Sequence, residues 1–269
     1  MKKHSNGLQP ARRRRPKSSH FALVALLLAC LGVPGVSTAQ DDPDADTRLP
    51  LQELIRTRVV YPQERGEIQI TAKSLFDGGP AARSLEFPLG IEYGLTDKWQ
   101  VELEWSALNR VSSAGESAVE SGRPSIGSQY SFMNILGSRV HTMVGAEAAL
   151  DGREVEPYTA FAVDLNSRGV QLFGDASWEF ARGLVEEDES GREARWGAGM
   201  LWPFSAATLA TEFEARGDGL ALRDSSEMYV IPSMTLRPAH RWEIGIGLPI
   251  GLTGDSNRLG VSVLGVYER

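Results

Sequence analysis

Between Leu85 and Ala107 every second residue is apolar, and the two runs that show this are separated only by a turn. Leu85, Phe87, Leu89, Ile91 and Tyr93 alternate with Glu86, Pro88, Gly90, Glu92 and Gly94. After Leu95-Thr96-Asp97-Lys98, the residues Trp99, Val101, Leu103, Trp105 and Ala107 alternate with Gln100, Glu102, Glu104 and Ser106. A period of two belongs to a β-strand, whose successive side chains point to opposite faces, so the stretch predicts a β-hairpin. One face of that hairpin is apolar throughout, while the other carries carboxylates, an amide and a hydroxyl. Lipid outside and water inside suits this division. A soluble sandwich would also alternate, but with its polar face outward. Recurrence and closure of the pattern separate the two cases.

The pattern recurs. From Gly66 onward twelve strand-like segments centre on residues 67–75, 85–94, 98–108, 125–133, 139–150, 155–165, 169–182, 193–204, 207–216, 227–237, 241–252 and 258–268. Each is close to the ~10 residues that cross an outer membrane at a tilt. The links alternate in length. Short turns fall at 95–97, 134–138, 166–168, 205–206 and 238–240, and longer or more polar links at 76–84, 109–124, 151–154, 183–192, 217–226 and 253–257. Short turns on one rim and long loops on the other, with an even strand count returning both ends to the short-turn rim, predict an all-β fold. It is a transmembrane antiparallel up-and-down β-barrel of about 12 strands over residues 66–269.

Residues 1–39 read as an export signal. Lys2, Lys3, Arg12 to Arg15 and Lys17 form a basic region, Phe21 to Leu31 is apolar, and Ser37-Thr38-Ala39 has the small-x-small pattern of a cleavage site. The apolar run falls short of the ~20 residues of a spanning helix, and Gly32, Pro34 and Gly35 interrupt it. A twin-arginine signal is disfavoured by the five residues between Arg15 and Phe21, and a lipoprotein box at Leu27-Leu28-Ala29-Cys30 by the bulk of Leu28. Removing this segment takes 7 of the 28 Lys and Arg and no acid, leaving 21 basic against 35 acidic residues, a net of −14. Nucleic acid is not a partner for such a chain. Cys30, the only cysteine, leaves with the signal, so neither a disulfide nor a thiolate metal site can form.

Residues 40–65 do not alternate. Asp41, Asp42, Asp44 and Asp46 around Pro43 read as a solvated linker. Leu51, Leu54 and Ile55 supply one amphipathic turn before Val59-Val60-Tyr61. The expectation is a flexible periplasmic leader; the sharper alternative is that residues 49–61 fold back against the barrel mouth.

Parity sorts the side chains. With apolar faces outward, all six tryptophans point outward, Trp99, Trp202 and Trp242 near the short-turn rim and Trp105, Trp178 and Trp196 near the long-loop rim. Two aromatic girdles result, about 15 Å apart along the axis at ~3.3 Å per residue and a ~40° tilt. The inward set is acidic: Glu86, Glu92, Glu102, Glu104, Glu147, Asp164, Asp175, Glu179, Glu212, Glu214 and Glu243, against Arg195, Arg216, Arg237 and His141. A dry core could not hold so many unpaired carboxylates, so either water enters or each arginine bridges two of them in a structural lattice. Pro88, Pro157, Pro232 and Pro249 fall inside strands, where each removes a ladder hydrogen bond, and predict bends or bulges.

Catalytic chemistry finds little support. Of the four histidines only His141 and His240 lie beyond the signal, His240 in a short turn and His141 beside Thr142 and Met143 with no serine nucleophile. The pair Glu102 and Glu104 could act as acid and base, but lining a wet pore is the simpler role. Glu186-Glu187-Asp188-Glu189 reads as a solvated run. There is no phosphate-binding glycine loop and no metal-spaced histidine cluster, so no cofactor and no metal are expected.

Two stretches, Ile91-Glu92-Tyr93-Gly94-Leu95-Thr96-Asp97-Lys98-Trp99 and Glu243-Ile244-Gly245-Ile246-Gly247-Leu248-Pro249-Ile250-Gly251-Leu252-Thr253, resemble the strand-turn patterns of bacterial outer-membrane barrels grouped with the phenol meta-pathway transporters. The resemblance implies an outer-membrane location and passage of small, often hydrophobic, compounds. It further implies outer-membrane lipid, lipopolysaccharide and the barrel-assembly machinery as partners. Barrels of this kind usually end on an aromatic residue, whereas here Tyr267 is followed by Glu268 and Arg269. The expected role is a passive channel or uptake protein for small hydrophobic or cationic solutes. A non-conducting structural or partner-binding barrel, or less readily a barrel enzyme, stands as the alternative.

Overall fold

The computed structural model describes residues 53–269 apart from 80–81, 114–115, 136–139, 153, 166–168, 182–191, 206, 219–224 and 240. The export signal, the aspartate-rich stretch, the acidic run 186–189 and His240 therefore lie outside the described residues. The strands are β1 (Ile68–Gly78), β2 (Ala82–Thr96), β3 (Trp99–Ser113), β4 (Glu116–Glu120), β5 (Pro124–Ile135), β6 (Val140–Ala149), β7 (Glu154–Asp164), β8 (Gln171–Ala181), β9 (Arg192–Pro203), β10 (Ala207–Gly217), β11 (Ser225–Ala239), β12 (Trp242–Gly247), β13 (Ile250–Gly251) and β14 (Leu259–Glu268).

In the order β1-β2-β3-β5-β6-β7-β8-β9-β10-β11-β12-β14 each strand pairs antiparallel with its neighbour, and β1 pairs back to β14 from Gln69–Glu268 to Gly78–Leu259, which closes the sheet. β13 continues β12 beyond Leu248-Pro249, both lying between β11 and β14, and β4 is an extra strand on the far end of β3. The result is a closed barrel of twelve strands, and each segment read from the alternation coincides with one of them. Closure leaves the ring itself no edge, so its ladder satisfies its own backbone groups.

The expected loop 109–124 differs. Its first half continues β3 to Ser113 and its second half returns as β4, paired from Asn109–Glu120 to Ser113–Glu116, so the barrel wall extends as a hairpin beyond Trp105. Polar composition suggested a loop, but Arg110-Val111-Ser112 and Ser117-Ala118-Val119 still alternate and can pair once β3 holds them in register.

The prolines sit where the ladder breaks or bends. At Pro88 the register against β3 shifts, and pairing with β1 skips from Ala72–Leu89 to Leu75–Glu86. At Pro157 pairing with β8 skips from Val155–Phe180 to Tyr158–Ser177. Pro249 separates β12 from β13, with its carbonyl accepting the Gly260 N–H at 2.7 Å. Pro232 stays in register with Thr211, and its carbonyl accepts the Leu248 N–H at 3.0 Å.

Burial is inverted relative to a soluble protein. Leu103 (44% exposed), Ile126 (51%) and Ile246 (48%) stand on the outer face, while Gln69, Gln100, Glu212 and Glu214 are buried inside. An apolar surface this extensive marks contact with lipid or another apolar partner.

Residues 53–65 are not a loose leader. Their partners come from β1, β3, β6, β7 and β10, strands on all sides of the ring, so the segment runs inside the bore. Leu54 and Val60 pack with Met143, Tyr158, Ala160, Ala162, Phe173, Leu201 and Ala210, and Ile55 packs with Tyr229, Ile231, Leu264 and Val266. The inner wall is thus partly apolar where it meets this segment, beside the acidic inward set.

Candidate functional site

Lacking a strand partner, Glu53–Arg65 must satisfy its backbone on the wall. Glu212 accepts the N–H groups of Ile55 (3.1 Å), Arg56 (2.9 Å) and Thr57 (2.8 Å). The Val60 carbonyl accepts Ser131 Oγ at 2.8 Å, and the Gln63 N–H donates to Gln100 Oε1 at 2.8 Å. Gln63 Nε2 donates to Gln69 Oε1 at 2.7 Å, and Glu92 accepts from Gln69 and Gln100 in turn. At the root, Gly66 N–H donates to the Gly94 carbonyl at 2.8 Å, where a wall side chain would collide with the segment: a Cβ on Gly94 would lie 1.9 Å from the Glu64 carbonyl oxygen.

Two arginines carry the segment's charge into the acidic bore. Arg56 lies 2.6 Å from Asp77 and 3.5 Å from Glu214. Glu214 also meets Arg195 at 3.3 Å and Arg216 at 2.7 Å, so three cations neutralise one buried carboxylate. Arg58 lies 3.7 Å from Glu102, 3.2 Å from Glu147 and 3.3 Å from Glu156, with its guanidinium 3.9 Å above the centre of the Tyr158 ring. Burial alone would lower the Arg58 pKa, but Glu156, Glu102 and Glu147 outweigh it and hold the group well above its ordinary value, permanently charged. Lys73 Nζ reaches Glu53 at 3.2 Å.

Toward the short-turn rim, Tyr61 tilts against His141 with ring centres 5.2 Å apart, and its hydroxyl accepts from Gln171 Nε2. Burial and the nearby Asp164 push the Tyr61 pKa up to about 12. His141 stands 3.5 Å from Asp164, which Gln171 also bonds. Toward the long-loop rim a cavity of about 350 Å³ opens, lined by Glu104, Ser125, Glu147, Glu154, Glu156 and Glu179 among others. Beyond it Glu179, Glu193, Arg195 and Arg216 line a smaller cavity.

Of the residues singled out in the sequence, the structure brings Glu102 and Glu147 together around Arg58, and Arg195 and Arg216, with Arg56, around Glu214. Glu104 and Glu179 border the cavity, while Glu92 belongs to the glutamine network. Asp164 lies with His141, and buried Asp175 sits 4.0 Å from Arg195. Trp99, Trp105 and Trp242 are exposed on the outer face, and Trp178, Trp196 and Trp202 pair there with Ala194, Ala215 and Leu209. Trp99 Nε1 donates to Ser128 Oγ at 2.7 Å, and Trp105 Nε1 to the Gly122 carbonyl at 3.2 Å. Arg56, Arg58, Lys73, Asp77 and Glu156 were missed. The usable signal was the pair Arg56 and Arg58 directly after the apolar Leu54-Ile55, in a chain whose later strands are rich in acids. Among the described residues no group of three or more side chains is placed to hold a metal.

No protein-family model matches the chain, and no curated protein shows significant sequence similarity to it, so the phenol meta-pathway resemblance gains nothing from these searches. Solved structures do share the architecture. The COG4313 outer membrane channel from Pseudomonas putida F1 is 13% identical with a TM-score of 0.57, matching 78% of this chain and 98% of its own. The KdgM porin is 10% identical with a TM-score of 0.52, over 74% of this chain and 98% of its own. The NanC porin is 12% identical with a TM-score of 0.51, over 74% and 99%. At these identities the likeness is one of fold: a closed antiparallel barrel of the kind outer-membrane channels use.

Proposed function

We propose that the protein is a passive outer-membrane channel for small solutes whose bore is closed at rest by its own residues 53–65. The observation that carries this reading is the segment itself: it lies inside a closed barrel, yet is fastened by side-chain contacts and a few hydrogen bonds rather than by strand pairing. Such contacts can be released without opening the barrel wall. The apolar outer face, the outward tryptophans and the fold shared with channel proteins support a place in the outer membrane, against lipid and lipopolysaccharide. The chain reaches it with residues 1–39 as a cleaved signal and with the assembly machinery folding it. The strand-turn likeness to phenol meta-pathway barrels points to small hydrophobic solutes, and the acidic vestibule to cationic ones. No step of chemistry is needed for this role.

The occupied bore also favours a second reading, a barrel that never conducts and is filled for stability. Deleting residues 40–65 and recording in planar bilayers separates the two. A plugged channel gives sparse, small events as wild type and steady conductance after deletion. A deletion variant that is folded and silent leaves only the non-conducting barrel.

A further inference from the structure

The side chains around Arg58 form a cage suited to a planar organic cation. Tyr158 supplies an aromatic face at 3.9 Å, and Glu102, Glu147 and Glu156 supply carboxylates within 3.7 Å, from β3, β6 and β7 of the wall. A π-face beneath several carboxylates recognises guanidinium by charge, hydrogen bonding and stacking together. Arg58 does not use the cage fully. Its bonds to Glu147 and Glu156 both come from Nη2, and its Nε has no hydrogen-bond acceptor among the described residues.

The cage also has an entrance. Glu147 and Glu156 border the cavity of about 350 Å³ on the long-loop side, so a solute arriving from that rim meets two of the three carboxylates without passing residues 53–65. Arg56 has no such access. Its side chain is 7% exposed against 20% for Arg58, and neither Asp77 nor Glu214 borders either cavity. The two arginines that fasten the segment therefore differ: one is sealed in, and the other is held by two carboxylates that border an open vestibule.

We propose that the Tyr158 cage is a binding site for a small guanidinium-bearing solute, with Arg58 as its resident intramolecular occupant. A solute entering from the vestibule competes with Arg58 for the cage and loosens the segment. This rests on the reading that residues 53–65 close the bore, and it names the solute class that acts on that closure. The exchange is one cation for another on the same carboxylates, so Glu102, Glu147 and Glu156 are not left without a counter-charge.

The probe is methylguanidinium, with methylurea as its neutral isostere, titrated calorimetrically into detergent-folded protein. Arg58→Ala should bind methylguanidinium at least tenfold more tightly than wild type and should not bind methylurea. Adding Glu147→Gln and Glu156→Gln should remove that gain. Amide hydrogen exchange on wild type provides the second measurement should Arg58→Ala not fold: saturating methylguanidinium should speed exchange at residues 57–60 severalfold, and methylurea should not. Equal responses to the two probes, or binding indifferent to the glutamine substitutions, overturn the proposal. Neither measurement reads current, so a protein that binds the cation but never conducts would refute the channel and keep the cage.

Discussion

The Glu212 carboxylate accepts the Arg56 backbone N–H at 2.9 Å, across 156 residues of sequence, while also holding the N–H groups of Ile55 and Thr57. Glu212 is fully buried, so its carboxyl oxygens are satisfied by these three donors rather than by water. Glu212→Ala would leave three donors without their acceptor, at about 1–3 kcal/mol for each that stays buried. Amide exchange across residues 55–57 should rise at least tenfold in Glu212→Ala and less in Glu212→Gln, which keeps an acceptor oxygen. Unchanged exchange in both would mean that Glu212 does not hold the segment.

Leu103 and Glu104 are neighbours on opposite faces of β3, one at the apolar outer surface and one bordering the vestibule. A charge at the bilayer midplane costs about 2–4 kcal/mol on the lipid face of a barrel, and little in the lumen. Urea titrations of protein folded into lipid vesicles should therefore show Leu103→Arg destabilised by that amount and Glu104→Arg close to wild type. Equal penalties would place the strand in the wrong register.

Gly94 lies against the root of the lumenal segment, and Gly90, two pairs along the same inner row, does not. A Cβ at Gly94 would meet the Glu64 carbonyl oxygen at 1.9 Å, whereas at Gly90 its nearest neighbour is Thr71 Cβ at 3.7 Å. Overpacking typically costs about 1–3 kcal/mol. Gly94→Ala should show that loss in vesicle-based unfolding, together with new protease sensitivity in residues 60–66, while Gly90→Ala should show neither. Equal behaviour of the two variants would remove the close approach as a constraint.

Ion selectivity should change with the segment. Deleting residues 40–65 takes Arg56 and Arg58 away from Asp77, Glu102, Glu147, Glu156 and Glu214, whose charges then act on whatever passes. Within a Debye length of about 8 Å at physiological salt, an ion in a bore of this size feels those walls. The reversal potential of the deletion variant in a KCl gradient should lie on the cation-selective side and weaken at high salt. Glu→Gln at 102, 104, 212 and 214 should weaken it further. Anion preference in the open variant would contradict the inward placement of these acids.

Much of the wall was legible in one dimension. The alternation around Leu103 and Glu104 recurs in every barrel strand, and because a strand's side chains alternate strictly, parity sorted Trp99 and Trp242 to one face and Glu212 and Glu214 to the other. Pro88, Pro157 and Pro249 mark breaks in the ladder as their missing N–H groups lead one to expect, whereas Pro232 keeps its register against Thr211. The hairpin of β3 and β4 has the composition of a loop, because its polar residues, such as Arg110 and Ser112, obscure a strand that only the neighbouring pairing stabilises.

What the bore contains was decided by tertiary structure. Leu54-Ile55-Arg56-Thr57-Arg58 has no period that identifies its surroundings, and its partners, from Asp77 to Val266, lie far along the chain. A closed ring of strands follows from local alternation, because each residue pair repeats the same rule. An irregular segment inside that ring follows no such rule. Its place depends on three backbone donors finding one carboxylate, on two arginines finding acids from opposite walls, and on Leu54 and Ile55 finding apolar patches, all of which exist only once the barrel has closed.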